Sequence, residues 1–133
     1  MKNGNVKKVL VVDNDEQVLS AILSLLEDAG FDTQTTWSGR DALSALESGR
    51  VDLLLTDDYL PDLHAADFLD RVGQLRVHPA IVVMHKGPQK PSAVRRYEAL
   101  GAYSVVDKND LAAVCRAVMS CGSKGKLEPA MGK

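Results

Sequence analysis

No stretch of the 133 residues is apolar for long enough to cross a bilayer, which takes about 20 residues as a helix. The opening Met1-Lys2-Asn3-Gly4-Asn5 lacks the apolar core of a secretory signal. An excess of one charge sign is also missing. Lys and Arg total 16 against 18 Asp and Glu, a formal charge of −2. That balance leaves no electrostatic footprint for nucleic acid or an anionic membrane. Cysteine is scarce. Cys115 and Cys121 lie six apart in one predicted helix, on different faces, where a disulfide between them is geometrically unfavourable. They read as reduced, structural or incidental thiols rather than a redox pair. No repeat or low-complexity tract is present. The expectation is a cytoplasmic protein with neither membrane nor nucleic acid as partner.

What is present is a core and an alternating pattern. At 45% apolar and 26% charged, a chain of this length suits one domain. Strands are predicted over Val6 to Val12, Phe31 to Thr36, Val51 to Thr56 and Ala80 to Met84, with a fifth around Val105 and Val106. Phe31 to Thr36 is short and polar, as an edge strand is. The first helix runs from an Asp15 cap to about Ala29, with Gly30 as a left-handed stop. Ser38 caps a second helix that ends at Ser48-Gly49. A third helix spans about Ala65 to Gly73. Pro91 opens a fourth, running to Leu100 and closed by Gly101. Asp110 starts a last helix reaching about Met119. The expected domain is residues 1–120, followed by a mobile tail or linker over 121–133. Five βα alternations imply a parallel sheet covered by helices on both faces. Such a sheet opens a cleft at the carboxyl ends of its strands.

That cleft is where the chemistry-bearing residues fall. Asp52-Leu53-Leu54-Leu55-Thr56-Asp57-Asp58-Tyr59-Leu60-Pro61 is an apolar run ending in a carboxylate, as for a strand buried on both faces. Val9-Leu10-Val11-Val12 ends likewise in Asp13-Asn14-Asp15-Glu16. Tyr103-Ser104-Val105-Val106 leads through Asp107 to Lys108. Two acidic strand ends and one lysine could meet in one pocket.

These residues, in this order and spacing, resemble the receiver domain of two-component response regulators. The resemblance runs from about Lys7 to Met119. It rests on Val11 to Asp15, on Asp52 to Pro61, and on Gly101-Ala102 with Lys108 beyond them. It implies a flavodoxin-like fold, strand order 2-1-3-4-5. It further implies that Asp57 accepts a phosphoryl group from a histidine kinase or phosphotransfer protein. The implied cofactor is Mg²⁺, held by Asp13, Asp57 and the backbone carbonyl of Tyr59. Lys108 would pair with a phosphate oxygen. Such a chain is a signalling module rather than an enzyme. It could pair with itself through the face formed by helix four and strand five, where Arg95, Arg96 and Glu98 lie.

The sequence also departs from the family. A second acidic residue usually follows Asp13, and here it is Asn14. An amide can reach the ion only weakly or through water, so weaker Mg²⁺ binding is expected. The hydroxyl residue ending the fourth strand is Met84, which cannot donate a hydrogen bond. The aromatic residue three before the lysine is Val105. Tyr103, two positions earlier, shares its face only if the pleat is regular. Asn109 replaces the proline after the lysine, and Ala65 replaces a glycine. Losing a phosphate hydrogen bond removes about 1.5–3 kcal/mol of state-dependent stabilisation. Throwing a two-state switch takes about 5.5 kcal/mol, so the hydroxyl–aromatic route is expected to be absent. Tyr59 and Lys86 match family positions that tune the lifetime of the phosphoryl group.

The remaining polar residues have plainer readings. Asp15 reads as a helix cap, Asp58 as a surface or cap residue, and Asp62 as solvated. His85 reads as a solvated loop residue or a phosphate contact. His64 and His78 read as surface residues. The alternative function is a phosphorylation-independent protein-interaction module, which Asn14, Met84 and Val105 favour and the Asp13, Asp57 and Lys108 set opposes. A hydrolase of the dehalogenase type fits poorly, because Tyr59 stands where its second aspartate would be.

Overall fold

The apolar runs pair into one parallel sheet. The computed structural model describes residues 7–76 and 78–124. The strands are β1 (Lys8–Val12), β2 (Asp32–Thr36), β3 (Leu53–Asp57), β4 (Ala80–His85) and β5 (Ser104–Asp107). Between and after them lie α1 (Glu16–Asp28), α2 (Gly39–Ser48), α3 (Ala65–Gly73), α4 (Pro91–Ala99) and α5 (Leu111–Lys124). The strand order is β2-β1-β3-β4-β5, as expected, with polar β2 at one edge. Among the described residues no helix is long and apolar enough to cross a membrane.

Pleating divides the side chains between two layers. Val9, Val11, Leu53, Leu55, Val82 and Met84 face α1 and α5, meeting Leu19, Ile22, Leu26, Val114 and Val118. Leu10, Val12, Leu54, Ile81 and Val83 face the opposite layer, with Ala42, Leu46, Phe68, Leu69 and Val72 from α2 and α3. Tyr97 and Leu100, from α4 and its end, pack at the edge of that second layer. The strands β1, β3 and β4 are buried on both faces, which is why they read as unbroken apolar runs.

Local signals set most helix ends. Asp15 accepts from the Gln17 and Val18 amides and caps α1, as its position predicts. Gly30, at φ 97°, takes the turn after it that a side chain would strain. The β3 strand includes Asp57, one residue beyond its predicted end. Likewise β4 includes His85, so that histidine belongs to the sheet rather than to a loop. Val6 lies outside the described residues.

The largest difference is at α5. The periodicity predicts an end near Met119 and a tail from residue 121. The helix instead runs to Lys124, with Cys121 buried in the first layer. Cys121, the first residue of the expected tail, is a core contact of that helix. The rest of the expected tail, 125–133, lies outside the described residues. Both thiols are free, and burial pushes that of Cys121 up to about 11. It stays protonated and unreactive at neutral pH.

Asp62 is not merely solvated. Its Oδ1 accepts from the Gly39 amide at 2.8 Å and its Oδ2 from the Arg40 amide at 3.0 Å. It therefore caps α2 from the β3–α3 loop, adding to the Ser38 cap on Asp41. Leu63 follows it so closely that a Cβ on Gly39 would meet Leu63 Cδ1 at 2.8 Å. Burial tends to raise the Asp62 carboxyl, but the Arg40 and Gly39 amides hold it below its ordinary value. A lowered carboxyl contributes stability that is full above its unfolded value and lost as pH falls through the folded one. Asp62→Ala is expected to cost about 1–2 kcal/mol in urea unfolding at pH 7, with the deficit shrinking in acid.

Candidate functional site

The register of the sheet brings the strand ends together. Val12 is level with Thr56, and Asp57 with Met84. Asp13, one residue past β1, therefore emerges beside Asp57 at the carboxyl edge. Lys108 follows β5, and its amide donates to the His85 carbonyl at 2.9 Å. From there its side chain reaches back across β4. Its Nζ lies 2.8 Å from Asp13 Oδ2 and 3.1 Å from Asp57 Oδ2. The three residues predicted to meet do so.

All three side chains are largely out of water. Asp13 is fully buried, the Asp57 side chain is 7% exposed and that of Lys108 is 10% exposed. Asp13 Oδ1 accepts from the Asp15 amide at 2.9 Å, and Asp57 Oδ1 from the Asp58 amide at 2.9 Å. Asp13 Oδ2 lacks any well-aligned hydrogen bond, so the nearby ammonium serves it as an ion pair. Burial and the charge of Asp13 raise the Asp57 carboxyl above its usual range, against the pull of Lys108. Burial tends to lower the Lys108 ammonium, but its close contact with Asp13 and the charge of Asp57 raise it on balance.

Other predicted residues stand at the rim. Asn14 is exposed, and Tyr59 is 77% exposed. Lys86 is exposed beyond β4, as are His64 and His78 elsewhere. Met84 is fully buried in the α1–α5 layer, and Val105 packs at the edge of the other. Tyr103 does not take the vacant aromatic place. It stands just before β5, with its hydroxyl 3.2 Å from Ser120 Oγ on α5. Among the described residues no three His, Cys, Asp or Glu side chains are grouped to hold a metal ion. Two acids, Asp13 and Asp57, face Lys108.

Residues 9–118 match the family model for the response regulator receiver domain. This chain belongs to that family. It is 27% identical over 81 residues to the regulatory protein VanRc of Enterococcus gallinarum, covering 61% of this chain and 35% of that one. It is 29% identical over 100 residues to the DNA-binding transcriptional regulator NtrC of Bradyrhizobium sp., covering 75% and 21%. The receiver thus spans about a third or less of the length of these relatives. Its fold is similar to that of a CheY-like receiver domain protein of Methanospirillum hungatei. The TM-score is 0.82 at 20% identity, covering 92% of this chain and 98% of that one. The receiver is a flavodoxin-like signalling module of the two-component type.

The sequence reading missed a polar cluster beside the site. The Asp58 carboxylate accepts from His85 Nδ1 at 2.5 Å and from the Tyr97 hydroxyl at 3.3 Å. Both partners are remote in sequence, so no local motif announces them. The one available signal is the stripe Val94, Tyr97, Leu100, which marks the inward face of an otherwise polar helix.

The carboxylates and the ammonium of this receiver depend on one another. Lys108→Met leaves two buried acids without their cation and is expected to cost about 3 kcal/mol in urea unfolding at pH 7. The cost should shrink as Asp57 takes up its proton. A carboxyl raised on folding makes the native state hold a proton that the unfolded chain has lost. Stability therefore falls as pH rises from 3.8 through the folded value. Asp57→Asn is accordingly expected to raise the urea midpoint at pH 7, a gain that vanishes toward pH 3.8.

Proposed function

We propose that Asp57 is a phosphoacceptor, taking a phosphoryl group from a histidine kinase or phosphotransfer protein. The observation that carries this reading is the ammonium of Lys108 lying within 3.1 Å of both Asp13 and Asp57 at the carboxyl edge of the sheet. In the transfer a carboxylate oxygen of Asp57 attacks phosphorus in line. The bond from phosphorus to the donor breaks, and its electron pair leaves with the donor. An acyl phosphate remains on Asp57.

Each residue contributes to the obstacle or to its removal. A carboxylate and a phosphoryl group repel one another, and Asp13 adds to the repulsion. Lys108 supplies a mobile positive charge for the equatorial oxygens. The Asp58 amide holds Asp57 Oδ1, fixing the carboxylate in one orientation. The buried Asp13 Oδ2, lacking an aligned hydrogen-bond donor, is a hard oxygen suited to a hard cation. Asp13, Asp57 and the Tyr59 carbonyl would hold Mg²⁺, with Asn14 joining weakly or through water. The ion would supply charge neutralisation between nucleophile and phosphate. Affinity below that of a site with a third acid follows from the missing charge of Asn14.

Signal output is assigned to the α4–β5 face. No residue of α4 is fully buried, and Arg95, Arg96 and Glu98 are exposed there. A partner protein or a second copy of the chain would dock on it. Met84 and Val105 carry no side-chain hydrogen-bond donor to couple that face to a phosphoryl group, so the coupling is altered. Tyr59, two residues past Asp57 and exposed, and Lys86 would tune how readily water reaches the acyl phosphate.

Incubation with acetyl phosphate and Mg²⁺ tests the reading, with intact mass as the measurement. A phosphate adduct is expected on the parent. It should be missing in Asp57→Ala and when Mg²⁺ is withheld. An unmodified parent, beside a receiver that does phosphorylate, would favour the phosphorylation-independent interaction module instead.

A further inference from the structure

Asp58 links the phosphoacceptor to α4. Its amide donates to Asp57 Oδ1 at 2.9 Å and to the Met84 carbonyl at 3.0 Å, so the Asp57–Asp58 peptide is held from two sides. Its carboxylate points the other way, to His85 at the end of β4 and Tyr97 in the middle of α4. A carboxylate oxygen only accepts, so His85 carries its hydrogen on Nδ1 and the phenol donates. The Asp58 side chain is 14% exposed and that of His85 is 30% exposed. Water competes only partly for these bonds.

The phenol matters to α4 because little else polar holds that helix. None of its residues is fully buried. Among the described residues, the Tyr97 hydroxyl makes the one side-chain hydrogen bond from α4 to the strand ends. Its ring packs in the layer that contains Val83 and Val105. The groups also feel one another's charge. Asp58 is among the charges that raise Asp57, and Asp57 is among those that raise the Tyr97 phenol. A phosphoryl group on Asp57 brings about −1.5 to −2 charges and three acceptor oxygens beside this network.

We propose that Asp58, clamped by His85 and Tyr97, is a positioning residue. It fixes the peptide that orients Asp57 and passes a change at Asp57 to α4 through the Tyr97 hydroxyl. The proposal rests on the phosphoacceptor reading. When phosphate arrives, the Asp58 carboxylate is repelled and the new oxygens compete for its two donors. The tether on α4 then changes, with no hydroxyl at position 84 or aromatic ring at position 105 required.

Hydrogen exchange of the α4 amides, with and without acetyl phosphate and Mg²⁺, tests this, with intact mass read on the same samples. In the parent, phosphorylation is expected to alter exchange across Val94 to Ala99. Tyr97→Phe deletes one oxygen and keeps the ring. Its α4 amides should exchange about fivefold faster before phosphorylation, as for one lost hydrogen bond. They should then not respond when the adduct forms. Asp58→Ala should lose the response and also take the phosphoryl group more slowly, whereas Asp58→Asn, which keeps an acceptor for the phenol, should retain part of it. Tyr103→Phe, whose hydroxyl faces α5, should respond like the parent. A full α4 response in phosphorylated Tyr97→Phe, or none in the phosphorylated parent, overturns the proposal and leaves the phosphoacceptor standing. A parent without adduct overturns both, and the mass spectrum separates the two failures.

Discussion

Two buried carboxylates at the ends of neighbouring strands cannot both stay charged in one notch without a cation beside them, and the rest of this structure answers that constraint. The parallel pairing of β1 with β3 places Asp13 beside Asp57. The pairing of β4 with β5, extended by the Lys108 amide on the His85 carbonyl, aims the lysine back at them. The whole sheet is therefore the support of one ion triad. The same arrangement keeps Asp57 under electrostatic strain, because burial and Asp13 both oppose its charge. A carboxylate held this way has an unmet need for positive charge, which Lys108 meets only in part.

Two of the departures from the family, Met84 and Val105, lie on the β4–β5 side of the site. Met84 is fully buried within the sheet's α1–α5 layer, where a methionine fills space well and a free hydroxyl would need a partner. Val105 packs at the edge of the opposite layer. On that same side Asp58, His85 and Tyr97 join the strand ends to α4. The hydroxyl and the aromatic ring are missing from the two positions that usually carry them, and polar side chains at three others join the strand ends to α4. The phenol reaches the site from a helix, whereas the family places its aromatic ring on β5.

Most of the fold was legible because it follows from short-range rules. The runs Val9 to Val12 and Leu53 to Leu55 are apolar at every position, which only strands buried on both faces require. Asp15, Ser38 and Gly30 act within a few residues of where they stand, so their roles were plain. The central triad was legible for a related reason, since Asp13, Asp57 and Lys108 each sit next to a strand that the pattern locates. The end of α5 was not. Cys121 has no local mark that distinguishes a buried thiol from one in a linker.

The sequence by itself determined the strand and helix order, the parallel sheet, the edge at which chemistry gathers and the identity of the three central side chains. These depend on periodicity and on residues adjacent to their own strands. Only the tertiary structure decided what Asp58, Asp62, His85 and Tyr97 do. Each is a polar side chain whose partner lies more than twenty residues away. A polar residue near a loop looks solvated from sequence, because water is its default partner. It becomes a cap or a tether only when folding brings a donor close enough to displace that water.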